Sequence, residues 1–166
     1  MSSYEPLYID YLIYFNRDQD YFECHEVLEE LWLEQDRDPF YKGLLQIAVG
    51  LYHFRNRNLR GGRMMLQSAV ELLEHYPEHT GGIELGQLVE KVKKLVRGLT
   101  GPGAEDVPYR DLTIRIWDET LTDAFRERSL QLKPNIPQRR SPTRGRIYEE
   151  KMKAIQQEPN FDKNQN

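Results

Sequence analysis

The sequence predicts an all-α protein, a compact bundle of about five helices with a C-terminal extension. Apolar residues recur at helical spacing almost throughout residues 5–98. Helix start and stop residues divide this stretch into segments of ordinary helix length. One short run, YRDLTIRIW at 109–117, alternates as a strand does, but no second strand is visible to pair with it. These observations favour helices over a sheet.

The first two predicted helices are separated by the polar run NRDQD, residues 16–20. The first covers residues 5–16, and the Glu-Pro pair that opens it suits a first helical turn. Asn16 is the predicted stop, and Asp18 is the predicted N-cap of the second helix. That second helix is expected from about residue 19 to about residue 35.

Three further helices follow in the first hundred residues. Asp38 and Pro39 begin the third, which is apolar on nearly every side, as a central helix would be. It is expected to reach about residue 56. A fourth helix is predicted from about 59 to 76, ending before Pro77, and EHTGG then forms a loop. The fifth covers residues 83–98 and closes at a glycine.

The chain is expected to have three parts. Residues 1–100 form the helical domain. Residues 101–132 form a segment packed on it, either extended at 109–117 or starting a helix through DETLTDAFRERSL. Residues 133–166 are rich in proline and arginine and are predicted to be a disordered basic tail, with a short charged helix near 146–157.

Composition limits the classes of function. The net charge of −4 argues against a general nucleic-acid or membrane binder. A single cysteine excludes an intramolecular disulfide and fits a reducing compartment. No apolar run approaches the roughly 18 residues of a membrane span. The first residues, MSSYEPLY, do not resemble a signal peptide, so a cytoplasmic location is predicted. The oligomeric state is not predicted.

The stretch YFECHEVLEELW, residues 21–32, concentrates the side chains that could carry chemistry. At about 100° per residue, one arc of the second helix is apolar. It comprises Tyr21, Cys24, Leu28, Leu31 and Trp32. The opposite side is expected to be a solvated acidic face of Glu23, Glu26, Glu30 and Glu34. His25 lies at the boundary, with Glu29 one turn further along, so the two should be in contact.

Three interpretations of this pair stay open. It could be a satisfied histidine–carboxylate pair at the edge of the core, which fixes packing. It could be a ligand-binding or catalytic pair. It could also be exposed and incidental. A carboxylate beside imidazole raises the histidine pKa and burial lowers it, and the sequence does not decide between these effects.

The third helix carries a polar stripe of Lys42, Gln46 and His53, with Gly50 adjacent. If the stripe faces His25 and Glu29, a polar cleft forms between the second and third helices, as helix bundles commonly build sites. The candidate binding residues are His25, Glu26, Glu29, Trp32, Gln46 and His53. No catalytic residue is assigned.

A metal site is the weaker hypothesis. HEVLE resembles the HExxH of metalloproteases, but Glu29 replaces the second histidine. The Glu-x-x-His of di-iron bundles would need a glutamate at Phe22. No cofactor is favoured. If a divalent metal is bound, its ligands would be His25, Glu29 and His53.

The residues also resemble a known family. FNRDQDYFECHEVLEELW, YKGLLQIAVGLYHF and NLRGG closely resemble the DUF309 family, small all-helical and mainly bacterial proteins of unassigned function. The resemblance covers about residues 12–76, and its YFExHExLExxW core is quite specific. Matching positions are Glu23, His25, Glu26, Leu28, Glu29, Trp32, Gln46, Ala48, His53, Asn58 and Gly61.

Two positions depart from the family pattern. The turn before YFE usually contains glycine, where this chain has Asp18 and Gln19, and an alanine commonly stands where this chain has Gly62. Both affect turns and packing, and neither touches the polar cluster. The resemblance implies a compact helical fold. It implies no activity.

The leading functional hypothesis is a non-enzymatic binding or interaction module that uses the predicted polar cleft. Its partner would be an unidentified protein or small molecule. The alternative is a metal-dependent hydrolase, with Glu26 as general base. A third hypothesis, association with nucleic acid through the tail, is disfavoured; it would use Arg139, Arg140, Arg144 and Arg146.

Overall fold

A computed structural model describes residues 4–134 of the protein. Within that range the chain forms six α-helices and one small hairpin, so the predicted all-α class is confirmed. The helices are α1 (Pro6–Ile13), α2 (Tyr21–Glu34), α3 (Pro39–Arg55), α4 (Leu59–Leu73), α5 (Leu85–Gly98) and α6 (Glu119–Gln131). The hairpin strands are β1 (His79–Thr80) and β2 (Ile83–Glu84). Consecutive helices α1 to α5 pack against one another.

Helix α3 occupies the centre, as its apolar composition predicts, between α2 on one side and α4 on the other. Small residues let α4 approach closely. A Cβ on Gly50 would lie 2.7 Å from Leu66 Cγ and 3.2 Å from the carbonyl oxygen of Gly62. Gly50 therefore faces α4, and it does not belong to the surface that α3 presents to α2.

The junction between α1 and α2 differs from the prediction. The chain does not stop at Asn16 but continues as one π-helical turn over Tyr14–Asp18, followed by Gln19 in the left-handed region. The N-cap of α2 is Asp20, whose carboxylate accepts from the amide of Glu23 at 3.2 Å, and the predicted cap Asp18 is wrong. Asp18 instead pairs with Arg17, Oδ1 to Nε, at 2.8 Å. Because of this π-helical turn, α2 starts at Tyr21, two residues after the predicted start at about residue 19.

The predicted EHTGG loop forms most of a two-stranded hairpin. Strands β1 and β2 pair antiparallel around Gly81 and Gly82, which both have positive φ. Ile83 forms a further antiparallel bridge with Ile116. The alternating run at 109–117 therefore has a partner, which sequence inspection missed because the partner strand is only two residues long. α4 also ends at Leu73, three residues before the predicted boundary.

The C-terminal part of the described chain is tied to α1 and the π-turn. The Asn16 side chain exchanges two 2.8 Å hydrogen bonds with the backbone of Ile114. α6 then begins at its N-cap Asp118 and packs on α1. Arg128 Nε donates to Asp10 Oδ1 at 2.8 Å. The extended stretch at 109–117 is thus followed by the helix α6, whereas the sequence analysis predicted either one or the other.

The predicted division into three parts stays a prediction. Residues 135–166, which hold most of the predicted tail and its short helix, lie outside the described residues. Within residues 4–134, no helix combines the length and the apolar character needed to cross a bilayer.

Candidate functional site

The first turns of α2 hold a three-residue ionic cluster. His25 Nδ1 lies 3.2 Å from Glu26 Oε1, and His25 Nε2 lies 3.2 Å from Glu29 Oε2. The contact between His25 and Glu29 is the one that helical i,i+4 spacing predicts. Both ring nitrogens face a carboxylate oxygen, so the imidazole can donate from both only when it carries two protons.

The environment of His25 decides its charge. Burial lowers the pKa of the imidazole, but hydrogen bonds to Glu26 and Glu29 and the negative charges of both carboxylates raise it, to about 9 overall. His25 is therefore an imidazolium at neutral pH. The question that the sequence left open, whether burial or the carboxylate prevails, is answered in favour of the carboxylates, because there are two of them.

Glu26 corrects the sequence analysis. It was expected on a solvated face with Glu23, Glu30 and Glu34, but it is buried, with 2% of its surface exposed. The neighbouring Val27 is buried as well. α2 packs against both α1 and α3, so its covered arc is wider than a wheel with a single apolar face predicts. His25 supplies the counter-charge that a buried carboxylate needs.

A cleft of about 170 Å³ lies between α2 and α3, next to the ionic cluster. Its lining consists of Tyr21, Phe22, His25, Val49, Tyr52 and His53. The ring centroids of Phe22 and Tyr52 are 5.7 Å apart, edge to face. The ring centroids of Phe22 and His25 are 6.2 Å apart, and those of Tyr52 and His53 are 5.9 Å apart. The two histidines thus lie at the ends of a short series of aromatic contacts.

The cleft is aromatic where a polar one was expected. Of the six predicted binding residues, only His25 and His53 line it. Tyr21, Phe22, Val49 and Tyr52 were not singled out as cleft residues by the sequence analysis. Their signal was weak: aromatic residues at the start of α2 and the end of α3 read equally well as core.

The second histidine has a different environment. Burial lowers the pKa of His53. Its Nδ1 lies 3.4 Å from Nδ2 of Asn58, the residue whose side-chain oxygen caps α4 by accepting from the amide of Gly61. His53 is therefore a neutral ring at pH 7, and the cleft combines one charged imidazole with one neutral imidazole.

The remaining predicted residues lie elsewhere along the α2–α3 seam. The Trp32 ring has Lys42 Nζ and Arg37 Cζ each 5.6 Å from its centroid. Gln46 is 9% exposed. Among the described residues, three buried polar atoms have no hydrogen-bond partner: Glu26 Oε2, Trp32 Nε1 and Gln46 Oε1. All three belong to residues that the sequence analysis named.

The described residues were also searched for groups of metal ligands and for reactive thiols. Within residues 4–134, no group of three or more His, Cys, Asp or Glu side chains is arranged to hold a metal ion. Cys24 is fully buried, and burial raises the pKa of its thiol well above the ordinary value. A thiol of that kind packs as a small apolar side chain.

Comparisons with known proteins give one family and two relatives. The model of the family described as "Domain of unknown function (DUF309)" matches residues 8–65. The chain is 35% identical over 128 residues to the uncharacterized protein YpuF of Bacillus subtilis (strain 168), covering 74% of this chain and 71% of that one. It is also 29% identical over 72 residues to an uncharacterized protein of Aquifex aeolicus (strain VF5), covering 42% of this chain and 22% of that one.

Proposed function

Since the chain belongs to the DUF309 family, a family of unknown function, we propose from the geometry of its cleft that it is a non-enzymatic binding module. The aromatic cleft between α2 and α3 is its binding site. The ligand is a small molecule, or a single side chain of a partner protein, that presents one flat or apolar group. The observation that carries this proposal is the edge-to-face pair of Phe22 and Tyr52 at the cleft.

The size of the cleft supports one ring as the guest. Its volume is about 170 Å³. An apolar cavity of roughly 150 Å³ in another protein binds benzene. Aromatic walls favour such a guest through offset or edge-to-face contacts, worth about 0.5–1.5 kcal/mol beyond area burial. The cleft is therefore suited to a ring and too small for most cofactors.

The protonation of His25 supports binding over catalysis. A general base or a metal ligand needs a lone pair on an imidazole nitrogen. Both nitrogens of His25 face carboxylates, and the pKa of about 9 keeps the ring charged at neutral pH. His25 therefore serves as a fixed cation that holds Glu26 and Glu29 in place beside the cleft.

The alternative function is a metal-dependent hydrolase with His25, Glu29 and His53 as ligands and Glu26 as general base. One observation favours it: two of these residues are in contact and the third lines the same cleft as His25. Metal binding would require His25 to lose a proton and to free one ring nitrogen from its carboxylate partner. The binding module requires no such rearrangement.

Titration of the full chain with indole, followed by amide NMR, tests the proposal. Indole is a single fused ring system, and saturable shifts are expected at Phe22, Val49 and Tyr52, with a Kd on the order of 1 mM. Val49→Phe fills the cleft and should abolish these shifts. Val70→Phe is the matched control, because Val70 is also partly buried but lies on α4. Shifts that Val49→Phe leaves unchanged, or no saturable shifts at all, would refute this function.

A further inference from the structure

Two of the polar side chains that line the cleft have their donors engaged. Each ring nitrogen of His25 lies 3.2 Å from a carboxylate oxygen. The Tyr21 hydroxyl donates to Oδ1 of Asp111 at 3.1 Å. His53 differs, because among the described residues only its Nδ1 atom has a hydrogen-bonding neighbour. The Nε2 atom of His53 is therefore left for a ligand.

The orientation of the Asn58 amide follows from the start of α4. Asn58 is the N-cap, and its Oδ1 accepts from the backbone amide of Gly61 at 3.0 Å. Exchanging the oxygen and the nitrogen of this side chain would remove the capping bond. A Cβ at Gly61 would lie 2.5 Å from Asn58 Nδ2, so the glycine leaves the room that the amide group occupies. The cap therefore fixes which of the two amide atoms is the nitrogen.

The Asn58 amide in turn assigns the tautomer of His53. Asn58 Nδ2 is a donor, and it lies 3.4 Å from His53 Nδ1. His53 Nδ1 must therefore accept, and in a neutral imidazole the other nitrogen then carries the hydrogen. Burial lowers the pKa of His53, which favours the neutral ring. The result is an Nε2–H donor on a ring that lines the cleft.

A donor without a partner changes which guest the cleft prefers. A guest that covers this N–H group with carbon takes it out of water and leaves it unpaired, which is unfavourable. A guest that carries an acceptor restores the hydrogen bond. The neighbouring ionic cluster holds two carboxylates against one imidazolium, which disfavours an anionic guest. A neutral acceptor, such as a ring nitrogen, fits both conditions.

We propose that His53 determines the specificity of the cleft, and that its ligands are neutral nitrogen heteroaromatic rings that accept a hydrogen bond from His53 Nε2–H. This inference rests on the proposed function, because the cleft is the same binding site. Asn58 does not line the cleft and acts through His53 as a positioning residue. The N-cap of α4 thereby sets the chemistry of a site between α2 and α3.

The test compares three rings by amide NMR titration of the full chain at about pH 8, where an unperturbed imidazole is neutral. Indole lacks an acceptor nitrogen. Benzimidazole and indazole have the same size and place an acceptor nitrogen at two different ring positions. At least one of them should bind about three- to tenfold more tightly than indole. In His53→Phe, which keeps a ring but has no N–H group, this advantage should disappear.

Asn58→Asp tests the positioning of His53. The variant keeps a capping oxygen but presents an acceptor to His53 Nδ1. The proton should then move to Nδ1, and the preference for benzimidazole and indazole should be lost. NMR spectra of the ring nitrogens of the free protein report the tautomer directly. Gln67→Glu makes the same change of charge at an exposed position of α4 and should behave as wild type.

The outcomes separate this inference from the proposed function. Equal affinities of wild type for the three rings, or an advantage that His53→Phe retains, overturn the inference and leave the binding module intact. A wild-type ring protonated on Nδ1 alone also overturns it, whatever the affinities. An unchanged tautomer in Asn58→Asp refutes the positioning by Asn58. If none of the three rings binds saturably, the binding module fails and the selectivity fails with it.

Discussion

His25 holds the buried carboxylate of Glu26, with 3.2 Å between Nδ1 and Oε1, although the two residues are adjacent in the sequence. Glu26 is 2% exposed and its second oxygen has no partner among the described residues. The imidazolium is therefore the charge that makes burial of this carboxylate tolerable. Most of the predictions below follow from this pairing.

Stability should fall as the pH rises from about 6.5 to about 9. The pKa of His25 is raised from 6.5 to about 9 in the folded protein. A raised pKa stabilises the fold fully below the unfolded value, and that contribution is lost as pH rises through the folded value. The loss is expected to be on the order of 2–3 kcal/mol. Urea unfolding of wild type and His25→Gln across this range measures it; parallel pH profiles would contradict it.

His25→Ala should destabilise the protein by about 1–3 kcal/mol, because it leaves Glu26 buried without a counter-charge. Adding Glu26→Leu to His25→Ala should restore part of the loss, since no buried charge then remains. Urea melts of wild type and both variants provide the comparison. A gain in stability for His25→Ala would instead indicate a strained site kept for function.

The two carboxylates should each raise the pKa of His25. Glu26→Gln and Glu29→Gln are each expected to lower it, since each replaces a charged acceptor by a neutral amide. Glu34→Gln is the matched control, because Glu34 is exposed at the last turn of α2. Titration of the His25 ring protons by NMR gives the values. An unchanged pKa in both test variants would show that the carboxylates do not set it.

Gly50→Ala should cost about 1–3 kcal/mol by forcing α4 away from α3. Its Cβ would lie 2.7 Å from Leu66 Cγ, in a fully buried contact. Gly98→Ala is the control: its Cβ would meet Val107 Cγ2 at 3.5 Å, an ordinary distance, and alanine favours helix. Thermal melts should separate the two variants. Equal melting temperatures would mean that the packing between α3 and α4 can adjust to the added methyl group at little cost.

The protein purified without an affinity tag should contain no stoichiometric metal, because both nitrogens of His25 already face carboxylates. Elemental analysis decides this directly. About one zinc, iron or manganese per chain, absent from His53→Ala, would favour the hydrolase over the binding module. Retention of the same metal by His53→Ala would place it at another site.

The spacing of residues along one helix determined part of the candidate site. The contact of His25 with Glu29 follows from the pitch of one helix, so the sequence alone predicts it. The central position of α3 follows from its apolar composition. Family motifs located the seam between α2 and α3 as the region of interest, and the family assignment is confirmed.

Tertiary packing determined the rest. A helical wheel fixes the angles between side chains on one helix, but it does not state which arcs the neighbouring helices cover. Glu26 is buried because α1 and α3 both cover α2, and Phe22 meets Tyr52 because two antiparallel helices are packed in one register. The sequence by itself thus determined the helices and the pairs within them. Which side chains are buried, charged or open to a ligand was decided by contacts between helices, because burial and pKa depend on neighbours distant in the chain.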